Sequence, residues 1–275
     1  LIRTAFIPSE GHKFVVAEFS AIEARVIAWL AGEQLRQEVF ATHGKIYEAS
    51  ASQMFGVPIE LIKKGNPEYA LRQKVKVAEL ALGYGGSSGA LIAMGALDMG
   101  LEEKELPDVV RRWRNANKRI TDLWYGIENA VIKLMETGET QGLKGIIFSR
   151  EIDLIYGQDF LTIKLPSGRK LYYPKPHLKE NRFGSNALHY FGVNQTTKKW
   201  EVQETYGGKL VENIVQAISR DCLAVTLKRL ETEGLQTVMH IHDEAVIDAD
   251  SNVDLDKVCE LMGQPIEWAP GLLLK

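Results

Sequence analysis

Strand-like and helix-like patterns succeed one another along the chain, beginning near its amino end. Residues 13–17 form a short, β-rich apolar run, which predicts a buried strand. From Ala21 the apolar residues recur at steps of three and four until Gly32. This spacing predicts that a helix follows the strand.

The segment between about residues 34 and 130 has an almost wholly helical pattern. Its apolar stripes are interrupted at Gly56, at residues 65–67 and at the glycines within residues 83–86. Glycine and proline commonly punctuate helices, so breaks are expected at these three places. We predict a helical subdomain.

Strand patterns return after residue 141. Two strand-like runs flank residues 166–168, a Pro-Ser-Gly sequence, and predict a hairpin around a glycine turn. Residues 200–206 alternate as in a strand, the glycines 207–208 interrupt the pattern, and residues 210–230 predict a long amphipathic helix.

The last strand patterns lie within residues 237–248, where two apolar runs flank the polar triplet His-Asp-Glu at residues 242–244. Strands near both ends of the chain, with helices between them, predict an α+β fold in which a helical insertion interrupts an antiparallel sheet. The sequence contains no visible internal repeat.

Bulk composition narrows the class of protein. At 275 residues with 45% hydrophobic content, the chain is long enough for one large domain or two intertwined ones. It has no run of 18 apolar residues and no secretory signal pattern, so we expect a cytoplasmic protein that does not enter a membrane. Cys222 and Cys259 have neither metal-ligand nor redox spacing.

The formal net charge of -3 is weak evidence against a protein that binds nucleic acid through a basic surface alone. An enzyme that holds divalent cations needs acidic residues at its centre, and these offset basic surfaces in the whole-chain sum. Nucleic-acid enzymes therefore stay open.

Two distant carboxylates share one setting. Glu18 and Asp243 each follow an apolar strand-like run, although more than two hundred residues separate them. If the strands are neighbours, the carboxylates converge and can bind two divalent ions about 4 Å apart, as phosphoryl transfer requires. Taken singly, either acid is more often an ordinary strand-end residue.

A second pattern joins Arg72, Lys76, Leu80 and Tyr84, each four residues after the last. On an α-helix this spacing places them along one slowly turning face about 18 Å long. The cationic end suits a triphosphate, and the apolar and aromatic end suits a base or sugar. The alternative is a solvated basic stripe on an amphipathic helix.

Three motifs in this order resemble those of the family A DNA polymerases, the bacterial DNA polymerase I type, and especially their phage-encoded branch. They are residues 18–25 (EFSAIEAR), residues 72–85 and residues 242–244, and residues 206–213 (YGGKLVEN) and Gln216 also match. The resemblance runs from about residue 1 to about residue 268.

The resemblance implies an antiparallel-sheet palm with a large helical fingers insertion, which is the polymerase right-hand fold without its thumb. Residues 1–33 and 131–275 would form the palm, and residues 34–130 would form the fingers. The implied activity is template-directed DNA synthesis from deoxynucleoside triphosphates on primer-template DNA, with two Mg²⁺ ions that Mn²⁺ can replace.

The resemblance also implies roles for the carboxylates. Glu18 and Asp243 fall on the two metal-binding acids, and the backbone carbonyl of Phe19 would help to hold the metal on the nucleotide side. Glu244 would be a supporting carboxylate, with a plain turn acid as the alternative.

The resemblance implies nucleotide selection and phosphate binding for Glu23 of the first motif and for residues of the second pattern. Glu23 falls on the acid that occludes a ribose 2′-hydroxyl beside Tyr84, which favours deoxynucleotides. Arg72 and Lys76 fall on the triphosphate-binding cations, and Lys76 is also a candidate proton donor to pyrophosphate.

Two further residues match positions that contact DNA in the family. Gln216 and His242 fall on positions that contact the primer-terminal duplex. Such contacts suit minor-groove acceptors, whose pattern all correct base pairs share.

Three residues depart from the family pattern. Glu18 replaces an aspartate, and the extra methylene moves the carboxylate by roughly 1.5 Å where about 0.5 Å is tolerated. Leu80 stands at a position that is aromatic in better-known members, which weakens stacking on the sugar. Tyr47 replaces a triphosphate-binding histidine and cannot become cationic.

The chain begins almost at the first motif, so we expect a fragment or split enzyme that needs a thumb or exonuclease segment on another chain. One alternative is a catalytically weakened or inactive fragment that still binds primer-template DNA. Another is a nuclease or other metal-dependent phosphotransferase, which leaves the spacing of residues 72–84 without a purpose. The basic residues at 63–64, 111–114 and 118–119, interleaved with Trp113, would guide a single-stranded template or only solubilise the surface.

Overall fold

The computed structural model describes residues 5–275, which form helices and antiparallel strands. The helices are α1 (Ile22–Ala31), α2 (Gln34–Ala41), α3 (Ile46–Phe55), α4 (Tyr69–Leu82), α5 (Ser88–Ala93), α6 (Leu106–Ala116), α7 (Lys118–Thr137), α8 (Gly207–Thr232) and α9 (Leu255–Gly263). The strands are β1 (His12–Glu18), β2 (Gln141–Leu143), β3 (Ile146–Ile152), β4 (Asp159–Lys164), β5 (Lys170–Pro174), β6 (His177–Glu180), β7 (Asn186–Val193), β8 (Trp200–Thr205), β9 (Thr237–Ile241) and β10 (Glu244–Asp250). Strand pairing within this range is antiparallel, which confirms the predicted α+β class.

The first and last strand patterns of the chain meet in one sheet, with the strand order β1-β10-β9. β1 pairs with β10 in unbroken register, from His12 opposite Asp250 to Glu18 opposite Glu244. The alternating apolar side chains of β1, such as Val15, lie in the core. The strands that precede Glu18 and Asp243, β1 and β9, therefore belong to one sheet, as the prediction required, but β10 lies between them.

Two further antiparallel sheets follow α7. Their orders are β2-β3-β4-β5 and β6-β7-β8. The predicted hairpin around residues 166–168 joins β4 to β5, and Gly168 adopts a φ of 89°, which glycine tolerates at no steric cost.

Glycines end or open helices at three predicted breaks. α3 ends before Gly56, which is left-handed at φ 67°. α4 ends at Leu82, so Tyr84 lies two residues beyond the helix rather than on its face. Residues 207–208 were expected to separate β8 from a helix at residue 210, but α8 already begins at Gly207.

The chain divides into two compact units. One contains the chain up to Trp29 together with Val215–Lys275, and the other contains Leu30–Ile214. This division follows packing, whereas the predicted palm and fingers rest on a resemblance, so the latter boundaries stay a prediction. Across residues 5–275, no helix has the length and apolar character needed to cross a membrane.

Candidate active site

The carboxylates of the first and third motifs lie at one end of the β1-β10-β9 sheet. Glu18, the last residue of β1, is the direct cross-strand partner of Glu244, the first residue of β10. The Phe19 N–H donates to the carbonyl oxygen of Asp243 at 3.3 Å. Backbone pairing therefore joins the segment around residue 18 to the segment around residue 243, as the sequence predicts.

These carboxylates differ in exposure. Glu18 is exposed, Asp243 is half-buried, and Glu244 is only 9% exposed. Glu244 is the first residue of β10, directly after the turn, and its role as a supporting carboxylate stays a prediction. Residues directly opposite each other in an antiparallel pair project from the same face, and like charges in such a pair destabilise a sheet.

The donor set suits a hard divalent cation, because carboxylate oxygens are the preferred ligands of Mg²⁺. Within residues 5–275, no three His, Cys, Asp or Glu side chains are arranged as a metal-binding group. A preformed cage is not required, since Mg²⁺ is usually bound by one or two carboxylates plus substrate phosphates. A cation would also offset the repulsion between the two negative charges of Glu18 and Glu244, which lie directly across from each other.

The hairpin between β9 and β10 is strained at His242. Only His242 and Asp243 separate the paired residues Ile241 and Glu244. His242 has a φ of 54°, which is uncommon for a residue other than glycine. Backbone strain of this kind is concentrated at functional sites, where the surrounding structure maintains it.

A buried arginine holds the turn that follows Phe19. Arg25 is 4% exposed, and its Nε donates to the Ser20 carbonyl oxygen at 2.6 Å. Its Nη1 donates to the Leu273 carbonyl oxygen at 3.1 Å, and burial lowers the pKa of its guanidinium. Arg25 is part of the first motif, residues 18–25, but the sequence pattern did not indicate these two hydrogen bonds.

A polar face on α8 approaches strand β9. Gln216 and Arg220 are exposed and lie one helical turn apart. Arg220 Nη2 lies 3.4 Å from His240 Nε2, and because guanidinium has no acceptor, it is the donor. Arg220 was missed by the sequence reasoning, although its i,i+4 spacing from Gln216 was a usable signal.

The second unit contains the predicted triphosphate-binding cations. Arg72 Nε donates to Glu48 Oε1 at 2.8 Å, and this hydrogen bond is the main cause of the raised pKa of Arg72. The guanidinium carbon lies 5.2 Å from the ring centre of Tyr47 and 5.7 Å from that of Tyr69. The structure therefore brings Arg72 and Tyr47 together and adds Glu48 and Tyr69, which the sequence did not indicate.

Lys76 and Leu80 continue this face of α4. Both side chains are exposed, and Leu80 is 54% exposed. A large aliphatic side chain this exposed is available to an apolar partner such as a sugar or base. Tyr84 follows beyond the helix end and is half-buried.

The family model for DNA polymerase family A matches residues 1–153, which is more than half of the 275-residue chain. The chain belongs to DNA polymerase family A. This finding confirms the family suggested by the three motifs.

The relatives of this family A chain are bacterial and phage enzymes. It is 58% identical over 276 residues to the DNA polymerase of Bacillus phage SP02, covering 100% of this chain and 41% of that protein. It is 24% identical over 261 residues to DNA polymerase I of Pseudomonas aeruginosa, covering 94% of this chain and 23% of that protein. The chain therefore spans less than half the length of either relative.

A solved structure shares the fold of the family A chain. It is the POL domain of Pol1 from M. smegmatis in complex with DNA primer-template and dNTP. The TM-score is 0.62 at 21% identity, and the match covers 100% of this chain and 40% of that one. At this identity the match supports the polymerase-domain fold alone.

Trp113, which lies among the basic residues predicted to guide a template or to solubilise the surface, is buried. Trp113 is 1% exposed, so it cannot stack on a base, and its Nε1 donates to Glu79 Oε1 at 3.0 Å. Arg36 Nη2 pairs with the same carboxylate at 2.6 Å and is also buried. This buried network braces α4 from the side of α2 and α6.

The remaining cations of that cluster are divided. Arg111 and Arg112 both pair with Asp108, and Arg114 Nη2 donates to the Gly86 carbonyl oxygen at 3.0 Å. Lys63 and Lys64 are exposed.

The resemblance pairs Glu23 with Tyr84 for exclusion of a ribose 2′-hydroxyl. Glu23 is an exposed residue of the first unit and Tyr84 belongs to the second, and this pairing stays a prediction.

Proposed function

We propose that this family A chain catalyses template-directed DNA synthesis. The primer 3′-hydroxyl attacks the α-phosphate of a deoxynucleoside triphosphate, a new phosphodiester bond forms, and pyrophosphate leaves. The observation that carries the proposal is the meeting of Glu18 with the Asp243–Glu244 segment at one end of a sheet. Membership of the family supports it independently.

Glu18, Asp243, Glu244 and the Phe19 carbonyl would hold two Mg²⁺ ions, for which Mn²⁺ is a substitute. Such ions, when bound, neutralise the charge that develops during phosphoryl transfer. The opposed carboxylates of Glu18 and Glu244 support this assignment, because their repulsion favours a cation between them.

The face of α4 would bind the nucleotide. Arg72, oriented by Glu48, donates to phosphate oxygens, and the Tyr47 hydroxyl beside it donates one further hydrogen bond. Lys76 transfers a proton to the leaving pyrophosphate. Tyr84 contributes to the exclusion of the ribose 2′-hydroxyl, so deoxynucleotides are selected.

Leu80 would give the nucleotide an apolar contact instead of an aromatic one. Its exposed side chain packs against the sugar but offers no π-face, so stacking is weaker than on an aromatic residue. This contact belongs to the same face as Lys76, one helical turn earlier.

The first unit would hold the primer-template duplex. Gln216 and His242 donate to minor-groove acceptors, which all correct base pairs present in the same positions. Arg220 adds a cation close to Gln216 and His240.

Single-nucleotide incorporation on a primer-template tests the proposal. We expect incorporation in Mg²⁺ and a higher rate of incorporation in Mn²⁺, because Mn²⁺ tolerates a displaced ligand. Asp243→Asn should abolish incorporation with either ion. Primer-template binding without incorporation in either ion would support the alternative, a DNA-binding fragment without catalysis.

A second measurement examines cation binding without activity. A ligand that binds only the folded state raises its melting temperature. We expect Mn²⁺ to raise the melting temperature of the chain, and Glu244→Gln to abolish this rise. Glu260→Gln, which removes an exposed carboxylate of α9, serves as the matched control and keeps the rise.

A further inference from the structure

The segment that follows α4 is packed directly against the beginning of α8. A Cβ built on Gly208 would lie 2.6 Å from the carbonyl carbon of Tyr84 and 3.0 Å from the Gly85 nitrogen. Real Cβ atoms essentially never come within 3.0 Å of such atoms. The Tyr84 backbone therefore occupies space that only glycine leaves open at position 208.

The preceding glycine serves a different neighbour. A Cβ on Gly207 would lie 2.8 Å from the carbonyl carbon of Trp124 and 3.0 Å from Glu128 Cβ, both on α7. Two adjacent glycines of one helix thus contact two separate segments. Only the second of them contacts Tyr84.

Other groups hold the same segment. Gly85 has a φ of 83°, and a Cβ there would lie 3.1 Å from the Tyr206 ring. The Trp124 indole Nε1 donates to the Gly83 carbonyl oxygen at 2.9 Å. The backbone on both sides of Tyr84 is therefore held by contacts outside its own helix.

We propose that Gly208 is a positioning residue for Tyr84 and thereby sets the selection of deoxynucleotides over ribonucleotides. This inference rests on the proposed function, in which Tyr84 contributes to sugar selection. A methyl group at position 208 cannot be accommodated unless the Tyr84 backbone or the beginning of α8 shifts. A displacement of about 1 Å at a reacting site can change rates on the order of 100-fold.

A matched series separates positioning from general loss of stability. Gly208→Ala and Gly207→Ala each insert one methyl into a backbone contact of the same helix. Gly89→Ala is the open control, since no atom lies within 4 Å of a Cβ at that position in α5. Incorporation of a deoxynucleotide and of the matching ribonucleotide is measured for each variant, and kcat and KM are determined separately.

We expect Gly208→Ala to reduce the ratio of the two kcat/KM values by about tenfold or more, as a misplaced selecting group would. Gly207→Ala and Gly89→Ala keep the ratio within about twofold of the unchanged chain, whatever their stability. Equal ratios for Gly208→Ala and Gly207→Ala would overturn the proposal while the polymerase function stands.

Hydrogen exchange gives a readout that needs no catalysis. In Gly208→Ala we expect faster amide exchange in residues 82–86 and unchanged exchange in residues 122–128, with the reverse in Gly207→Ala. The same exchange in both variants contradicts the positioning role. If the unchanged chain incorporates no nucleotide, the proposed function fails, and exchange still decides whether Gly208 holds Tyr84.

Should Gly208→Ala not fold, Tyr206→Leu tests a neighbouring contact on the same segment, two residues before Gly208, without inserting an atom between two backbones. It removes the ring that lies against Gly85. We expect a smaller loss of sugar selection together with faster exchange of residues 82–86. No change in either measurement counts against the proposal.

Discussion

Glu18 carries one methylene more than the aspartate that the family resemblance leads us to expect at this position, and it lies at the end of a regularly paired strand. The β1-β10 register is regular through Glu18. The carboxylate therefore stands about 1.5 Å farther along than that of an aspartate, beyond the roughly 0.5 Å that productive geometry tolerates. We expect Glu18→Asp to raise the kcat for incorporation in Mg²⁺ by about 10- to 100-fold.

The gain should be smaller in Mn²⁺, because that ion tolerates the longer side chain better. Steady-state incorporation with both ions measures it, and Glu260→Gln is the control for a carboxylate change away from the site. A lower kcat for Glu18→Asp would show that the site is built around glutamate.

Two lysines on α4 allow a matched test of nucleotide binding. Lys76 is exposed on the face that carries Arg72, whereas Lys74 lies on another face and pairs with Glu105 at 3.3 Å. We expect Lys76→Ala to lower kcat/KM for the nucleotide by about tenfold to a thousandfold, the range for loss of a general acid and a phosphate contact. Lys74→Ala should change it less than about twofold.

Separate determination of kcat and KM distinguishes the two roles of Lys76. Loss of a proton donor lowers kcat, whereas loss of a phosphate contact that is equally strong in the ground state and the transition state raises KM alone. Equal effects of both lysine substitutions would contradict the assignment of Lys76.

At the scale of elements, the β1-β10 pair is held at its far end by Asp248. Its carboxylate accepts hydrogen bonds from the Ser9 hydroxyl at 2.5 Å and the Ser9 N–H at 3.2 Å, and it pairs with His12 at 3.1 Å. The Ser9 hydroxyl is the first cause of the lowered pKa of Asp248. The segment that precedes β1 is thereby tied to β10.

A carboxylate with a lowered pKa in the folded state stabilises that state above its unfolded pKa of about 4, and the effect is lost as the pH falls through the folded pKa. We therefore expect Asp248→Asn to melt at a lower temperature than the unchanged chain near neutral pH. The difference should shrink as the pH is lowered to about 3. Circular dichroism melts measure it, and a difference independent of pH would contradict the ionic contribution.

The elements were predictable where a periodic pattern coincided with punctuation. β1, α1, the hairpin of β4 and β5, and the strands around residues 242–244 all had both signals. The opening of α8 at Gly207 was not predictable, because glycine normally breaks a helix and its reason here is the close approach of Trp124 and Tyr84. Which strands share a sheet between residues 141 and 205 depends on tertiary packing rather than local pattern.

At the scale of the whole molecule, the sequence predicted which carboxylates share a sheet end but not what surrounds the cations. The matching patterns before Glu18 and Asp243 indicated a shared sheet, but not that β10 would be the strand paired with β1. The contacts of Arg72 with Glu48 and Tyr69 join separate helices, and neither periodicity nor a motif encodes them. Arg25 and Arg220 were visible only as charges until the fold gave them partners.

The net charge of -3 means that attraction to DNA must come from local groups rather than from the whole molecule. Arg220, beside Gln216 on α8, is such a group, because its guanidinium donates to His240 and forms no salt bridge with a carboxylate of residues 5–275. If it contacts a phosphate, Arg220→Ala should reduce the slope of log affinity against log salt by about 1.

Gln216→Ala provides the contrast, since an uncharged groove contact lowers affinity at every salt concentration without changing the slope. Lys257→Ala removes an exposed cation of α9 and is the charge-matched control. Fluorescence anisotropy of a labelled primer-template across a salt series measures all three variants. A slope reduced equally by Arg220→Ala and Lys257→Ala would mean that the acidic molecule is steered by its total charge, and the local assignment of Arg220 would be wrong.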